Sequence, residues 1–143
     1  MAPHAVFTHT EPDLLPVLDE LRRLEPIFHT TEFGTMPADL QRRMSPGYWE
    51  VGASGRRYSR EFILHNFEQT PPVDARAAGW QASGHALRRL GPDTYLLTYN
   101  LQQGPRLSRR ATIWQHSRQD WLVVYHQGTL VSANEDDVVP PQP

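Results

Sequence analysis

Polar side chains of several kinds alternate along one predicted strand in the C-terminal part of the chain. Between Arg106 and Thr129, two runs with apolar residues at alternate positions flank a short polar turn, Ser117 to Asp120, which is the pattern of an antiparallel hairpin. Because side chains alternate between the faces of a strand, Arg110, Thr112 and Trp114 share one face. A guanidinium group can hold a carboxylate through two parallel hydrogen bonds. The pattern therefore predicts a face that binds a small anion, although Trp114 is also typical of a core residue.

Two residues, His126 and Glu50, are candidates for acid–base chemistry. An imidazole titrates near neutral pH and is the commonest general base in enzymes. In the second strand of the hairpin, alternation places Gln127 on the same face as Trp121 and places His126 on the opposite face. Either His126 or Gln127 is therefore predicted to line the site, with Glu50 near its mouth. The competing interpretation of His126 is a sheet histidine whose hydrogen bonds are satisfied internally.

Three further residues could contribute to the site: Glu25, Tyr58 and Tyr99. Glu25 falls on the apolar stripe of the first predicted helix, so it is either a buried acid facing a pocket or a solvated or arginine-paired carboxylate at the helix end. The two tyrosines are predicted to lie at the ligand or in the core, with hydroxyl groups that reach polar partners.

The competing interpretation of Arg110 is a salt bridge to Glu50 or Glu25 that closes the fold.

Metal and cofactor sites are not predicted. The chain has seven histidines and no cysteine, and no pair of histidines has ligand spacing on one predicted element. His116 and His126 could approach each other across the hairpin, but a third ligand is missing. The turn from Gly52 to Gly55 lacks the lysine of a phosphate-binding loop.

The elements that must position these residues fall into two blocks. Apolar residues recur at helical spacing first, and they alternate at strand spacing after Ala77. This order predicts an α+β fold in which amphipathic helices cover one face of an antiparallel sheet. The predicted elements are a helix from Thr10 to Pro26, a helix from Pro37 to Met44, a strand from Tyr48 to Ala53, a helix from Arg60 to Glu68, and strands at Trp80 to Leu90, at Tyr95 to Leu101 and in the hairpin.

Local signals predict where the helices begin. Thr10 followed by Asp13 resembles a capping box, with Asp in place of Glu. Ser59 is the predicted N-cap of the third helix, whose Phe62, Ile63 and Phe67 are predicted to point inward.

Composition predicts a single domain at residues 10–131, with an N-terminal arm at 1–9 and a disordered acidic, proline-rich tail at 132–143. All 14 basic residues are arginine, yet the formal net charge is −2, which argues against a nucleic-acid surface. No stretch is apolar and long enough for a signal peptide or a membrane span, so no membrane partner and a cytoplasmic location are expected.

Three motifs together give the sequence a resemblance to a known family. They are Leu24-Glu25 at the end of the first helix, the stretch YWEVGASGR from Tyr48 to Arg56, and Trp121 leading to the HQGT stretch from His126 to Thr129. In combination they resemble the ketosteroid isomerase-like, nuclear transport factor 2-like (SnoaL-like) superfamily, and within it the bacterial domain-of-unknown-function 4440 group.

The resemblance implies a cone-shaped, cystatin-like fold: a curved antiparallel sheet packed on three N-terminal helices, with an apolar pocket inside. It also implies a homodimer formed through the sheet. The Asp base and the Tyr/Asp pair of the isomerase members have no counterpart here, because Asp93 and Asp120 both fall in predicted turns. We therefore predict a small-molecule-binding protein that could be an acid–base enzyme acting on a small, partly apolar, anionic metabolite. The alternative is a non-catalytic dimerisation or interaction module that uses the outer face of the sheet.

Overall fold

The computed structural model describes residues 5–25, 37–69, 77–132 and 137–139. Four helices, one 3-10 turn and six strands follow each other in these ranges. They are α1 (Ala5–Thr8), the 3-10 turn Pro12–Leu14, α2 (Leu15–Leu24), α3 (Pro37–Arg43), β1 (Met44–Val51), β2 (Arg57–Ser59), α4 (Arg60–Gln69), β3 (Gln81–Gly91), β4 (Thr94–Gln103), β5 (Arg106–Ser117) and β6 (Asp120–Leu130). The predicted α+β fold, in which the helices precede an antiparallel meander, is confirmed.

The six strands form one sheet in the order β2-β1-β6-β5-β4-β3. Strands β3 to β6 form the predicted antiparallel meander, and β1 and β2 are also paired antiparallel. Strand β1, however, runs parallel to β6, so the sheet is mixed and the prediction of a wholly antiparallel sheet was wrong. Strands that are distant in sequence can be parallel neighbours because no tight turn fixes their relative direction.

Helix α2 covers the inner face of the sheet with its leucine stripe. Leu14, Leu18 and Leu21 are buried, as the helical spacing predicted. They pack in one cluster with inward side chains of the strands such as Leu97 and Val123. Full burial of a leucine side chain contributes about 1.5–3 kcal/mol, so this stripe is a main reason why the helix docks on the sheet.

A β-bulge at Val124 changes which side chains of β6 face inward. Tyr125 pairs with Ile113 while Val123 pairs with Trp114, so Val124 is an extra residue with no partner of its own on β5. The extra residue inverts the alternation beyond it. His126, which pairs with Thr112, therefore lies on the same inner face as Val123. Uninterrupted alternation had placed these two residues of β6 on opposite faces, and that prediction was wrong.

The N-terminal segment crosses the edge of the sheet. The predicted capping box at Thr10 is wrong: the hydroxyl of Thr10 accepts a hydrogen bond from the backbone N–H of Leu87 on edge strand β3, at 2.9 Å. The helical path begins instead at Pro12, and Glu11 makes no capping hydrogen bond through its side chain. Helix α1, inside the predicted arm, contacts β3.

Predictions for α3, β1 and α4 have mixed outcomes. The Ser59 hydroxyl caps α4 by accepting a hydrogen bond from the N–H of Phe62, at 3.1 Å, as predicted. The Phe62 side chain was predicted to point inward but is 51% exposed. Strand β1 begins at Met44, before the residues expected to end α3. Pro26, the side chain of Phe67 and most of the predicted tail lie outside the described residues.

Candidate ligand-binding and acid–base site

The carboxylate of Glu25 lies at the end of α2 and is almost fully buried against the inner face of the sheet. Its Oε1 atom accepts hydrogen bonds from the Tyr99 hydroxyl, at 2.8 Å, and from the Thr112 hydroxyl. Its Oε2 atom accepts a hydrogen bond from the indole N–H of Trp114, at 2.8 Å. A buried charge is tolerated only when it is hydrogen-bonded and paired, and these three donors from β4 and β5 meet that condition.

His126 extends this network through Thr112. The Thr112 hydroxyl lies 2.7 Å from Nδ1 of His126, and the same Nδ1 atom is 3.5 Å from Oε1 of Glu25. Because Thr112 donates its only hydroxyl hydrogen to Glu25, its oxygen must accept a hydrogen from His126. The network therefore assigns the hydrogen to Nδ1, which leaves the lone pair of a neutral His126 ring on Nε2. We call this chain of three side chains, Glu25, Thr112 and His126, the inner relay.

Electrostatics keep Glu25 in its ionised form. Burial alone raises the pKa of this carboxyl group, but the hydrogen bond of His126, and the positive charge of its ring when protonated, outweigh burial, with help from the hydroxyls of Thr112 and Tyr99. The net result is a pKa for Glu25 below its ordinary value. Burial, and next the adjacent Glu25 charge, raise the pKa of Tyr99, so Tyr99 stays a hydrogen-bond donor.

Arg110 is a second buried charged residue on the inner face. Its Nε atom donates to the Ser108 hydroxyl, at 2.9 Å, and its Nη2 atom donates to Oε1 of Gln103, at 3.4 Å. Neither partner is a carboxylate, and within the described ranges Arg110 forms no ion pair. The guanidinium group lies against Gly128, where a Cβ atom would come within 2.9 Å of it. Burial lowers the pKa of Arg110, although an arginine keeps its charge at neutral pH.

Glu50 and Tyr58 lie on the strands that continue the sheet beyond His126. Glu50 pairs with His126 across the parallel β1–β6 ladder and with Tyr58 across β1–β2, so all three positions share the inner face. Glu50 is half-buried and accepts a hydrogen bond from the hydroxyl of Tyr48, at 3.0 Å. Tyr58 packs against Phe62, with ring centroids 5.6 Å apart.

Only one of the predicted site residues lies on the other face. Gln127 is exposed on the outer face, where its Oε1 atom accepts a hydrogen bond from the Tyr125 hydroxyl, at 2.6 Å. The remaining eight share the inner side of the sheet: Glu25, Glu50, Tyr58, Tyr99, Arg110, Thr112, Trp114 and His126. The suggested salt bridge of Arg110 to Glu50 or Glu25 is not among the ion pairs of the described residues. Their roles toward a ligand stay predictions.

Sequence reasoning overlooked two residues near this cluster, Tyr48 and His85. Tyr48 is buried two positions before Glu50 on the same strand face, and burial and then Glu50 raise the pKa of its hydroxyl. His85 stacks on Tyr99 with ring centroids 5.1 Å apart and an interplanar angle of 11°. Burial, followed by the charge of Arg22, lowers the pKa of His85 to about 4. The spacing of Tyr48 and Glu50 could have identified the tyrosine, whereas His85 lies in a bulge that the isolated Gly84 alone indicates.

The arrangement can move a proton between buried groups and can attract an anion. A carboxylate behind a hydroxyl and an imidazole fixes the tautomer and orientation of the ring, as an orienting acid does for a general base. Among the described residues, no group of three or more His, Asp or Glu side chains could hold a metal ion. In the same ranges, no helix combines the length and the apolar character needed to cross a bilayer.

Comparison with known proteins identifies the fold. No family model matches this sequence, and no curated protein sequence matches it either. Among solved structures, a protein of unknown function from the DUF3225 family of Pectobacterium atrosepticum is 18% identical, with a TM-score of 0.62 over 87% of this chain and 100% of its own. A nuclear transport factor 2-like protein of unknown function in nutrient uptake from Rhodospirillum rubrum is 15% identical, with a TM-score of 0.57 over 82% of this chain and 98% of its own. A protein of Exiguobacterium sibiricum, proposed as a calcium/calmodulin-dependent kinase II association domain, is 14% identical, with a TM-score of 0.59 over 88% of this chain and 100% of its own.

At these identities the likeness establishes the fold alone. The chain is a cone-shaped α+β protein with a curved, mixed sheet. More narrowly, it has the nuclear transport factor 2-like fold, as the resemblance implied. The narrower resemblance to the domain-of-unknown-function 4440 group stays a prediction.

Proposed function

We propose that this chain binds a small, partly apolar, anionic molecule at the inner face of the sheet, and that His126 exchanges a proton with it. The observation that carries this proposal is the inner relay. Packing of the core does not require a carboxylate, a hydroxyl and an imidazole in series, and burying such groups costs free energy. Clusters of buried, strongly coupled titratable groups are enriched at functional sites.

The anionic character of the ligand is inferred from Arg110. Its guanidinium group is buried beside the relay, and its described partners are the uncharged Ser108 and Gln103. A buried cation is stabilised strongly by an anion that forms a bidentate hydrogen bond, so a ligand carboxylate would complete this environment. The apolar part of the ligand would lie against aromatic side chains such as Tyr48 and Trp114, which are buried on the same face.

The proposal can be tested with a panel of small carboxylic acids that differ in their apolar part. We expect at least one acid to raise the melting temperature of the wild-type protein, because a ligand that binds only the folded state stabilises it. Arg110→Gln should weaken binding of that acid about 10-fold or more, since one charge-assisted hydrogen bond is lost. Arg57→Gln is the matched control, because Arg57 is an exposed arginine on edge strand β2.

Proton exchange by His126 needs a separate readout. The ring signals of His126, followed by NMR during titration with the same acid, should move in the wild-type protein and in Arg57→Gln. If no acid of the panel binds more weakly to Arg110→Gln, or if the acid that does so leaves the His126 signals in place, the proposed site is refuted.

A second candidate function is homodimerisation through the outer face of the sheet. Trp49 is 45% exposed there and packs edge-on against Tyr125, with ring centroids 5.0 Å apart. Exposed aromatic pairs are typical of interface cores. The proposed association domain of Exiguobacterium sibiricum, which has a similar fold, gives further support. Sedimentation velocity should show a dimer that Trp49→Glu converts to a monomer; a wild-type monomer at all concentrations would exclude this function.

A further inference from the structure

A cleft of about 660 Å³ lies on the outer face of the sheet, opposite the inner relay. Thr98 and Ala111, which pair across β4 and β5, form part of its floor. Both side chains are small, and the large neighbours Tyr99 and Arg110 direct their side chains to the inner face. The outer surface is therefore hollow at this point, and the hollow is large enough for a small molecule.

The N-terminal segment builds one wall of this cleft. Val6 and Phe7 of α1 line it with apolar surface, and both side chains are largely exposed. Gly84 of β3 lies beside α1 and has a φ of +66°, a conformation that favours glycine. A Cβ atom at Gly84 would lie 2.9 Å from the amide nitrogen of Asn100 and 3.8 Å from the side chain of Thr8. The position of the Asn100 side chain thus depends on a glycine at this bulge of β3.

Arginine side chains dominate the charge of the described residues that line the cleft. The Nη1 atom of Arg109 donates to Oδ1 of Asn100, at 2.7 Å, and this bond fixes the guanidinium group in one orientation. Its Nη2 atom reaches the carboxylate of Asp137 at 3.4 Å, which is a long hydrogen bond. Arg88 also lines the cleft, and within the described residues it has no hydrogen-bond or ion-pair partner. Among the described residues that line the cleft, one carboxylate therefore faces two guanidinium groups.

We propose that this cleft is a second binding site, for a monocarboxylate with an apolar chain. Arg109, held by Asn100, binds the carboxylate with help from Arg88, while the apolar chain lies against Val6 and Phe7. In the unliganded protein the carboxylate of Asp137 occupies the position beside Arg109 that the ligand carboxylate would take, so Asp137 competes with the ligand. Arg110 contributes to the lining of the cleft, but its guanidinium group is buried on the inner face while that of Arg109 lies on the outer face, so the anion is held here by a different group from the one in the proposed inner-face site.

Isothermal titration calorimetry of the full chain with octanoate tests this site. Octanoate should bind the wild-type protein, while octanol and octyltrimethylammonium, which have the same chain without the carboxylate, should bind at least about 10-fold more weakly. Arg109→Gln should weaken octanoate binding about 10-fold or more. Asp137→Asn should strengthen binding about threefold, because it removes the competing charge but keeps the side-chain shape. Arg57→Gln is the control for loss of positive charge elsewhere.

A space-filling variant tests the location independently of charge. Ala111→Phe should abolish octanoate binding because the phenyl ring occupies the floor of the cleft, and an unchanged melting temperature verifies that the variant folds. Equal binding of octanol and octanoate, or octanoate binding that survives both Arg109→Gln and Ala111→Phe, would overturn the proposal. Octanoate binding that is lost in Arg110→Gln but kept in Arg109→Gln would also overturn it, and would assign the anion to the inner face instead.

Discussion

Replacing Glu25 by Gln changes the charge of the inner relay with almost no change in volume. A carboxylate offers acceptors at both oxygens, whereas an amide replaces one of them with an NH₂ donor. If the amide oxygen faces Tyr99 and Thr112, its NH₂ group meets the indole N–H of Trp114, so two donors oppose each other. In the reverse orientation the NH₂ group meets both hydroxyls. At least one buried donor therefore loses its partner in either orientation.

The expected loss of stability can be worked out from these contacts. An unsatisfied buried donor costs about 1–3 kcal/mol. The hydrogen bonds that remain lose the charge of their acceptor, and charge-assisted bonds are roughly twice as strong as neutral ones. We expect the free energy of unfolding of Glu25→Gln to fall by about 3 kcal/mol at pH 7, as for other buried charges that lose their network.

Urea unfolding followed by tryptophan fluorescence measures this loss, since Trp114 contacts the substituted side chain. Glu20→Gln is the matched control, because Glu20 is exposed on the same helix and its change should stay within about 0.5 kcal/mol. The pKa of Glu25 is lowered in the folded state, so the stabilisation is present above the ordinary value of 4.5 and is lost as pH falls through the folded-state pKa. The difference between wild type and Glu25→Gln should therefore shrink below pH 4.5. A loss under about 0.5 kcal/mol at pH 7, or one that is as large at pH 3 as at pH 7, would refute this reasoning.

Three further substitutions test other parts of the structure. Gln119 has a φ of +66° in the β5–β6 turn, so Gln119→Gly should raise the free energy of unfolding by about 1 kcal/mol in urea unfolding. Gln115→Gly, which places a glycine within strand β5, should lower it. Gly128→Ala places a Cβ atom 2.9 Å from the guanidinium group of Arg110, and we expect it to lower the free energy of unfolding by about 1–3 kcal/mol. This loss should be smaller when Arg110 is also replaced by alanine, and equal losses in both backgrounds would contradict the contact. Thr112→Val breaks the inner relay and should lower the free energy of unfolding by about 1–3 kcal/mol. Thr112→Ser keeps the hydroxyl and should lower it less. Equal stabilities of the two variants would show that the hydroxyl is not needed.

The fold could be predicted because local patterns agree with the final structure. The leucine stripe of α2 and the alternation along β4 and β5 each decide which side chains are buried, and together they place the helix on the sheet. The parallel pairing of β1 with β6 could not be predicted, because no turn connects the two strands and five other described elements lie between them in the chain.

The candidate site could be predicted only in part. Arg110, Thr112 and Trp114 share a face by simple alternation within one uninterrupted strand. His126 joins them only because of the bulge at Val124, and nothing in the valine-rich stretch around that residue marks an extra position. Glu25 was a candidate because it interrupts an apolar stripe, but its partners come from strands more than 70 residues away.

The central claim is that Glu25, Thr112 and His126 form a proton relay that acts on a bound anion, and the ring nitrogens of His126 report on it most directly. Long-range ¹H–¹⁵N NMR of the wild-type protein should show the hydrogen of the neutral ring on Nδ1, and the Nε2 signal should move when the best-binding carboxylic acid is added. Thr112→Val should disturb the tautomer, and Thr112→Ser should preserve it. A hydrogen on Nε2 in the neutral ring, or ring signals that respond neither to the acid nor to Thr112→Val, would contradict the account.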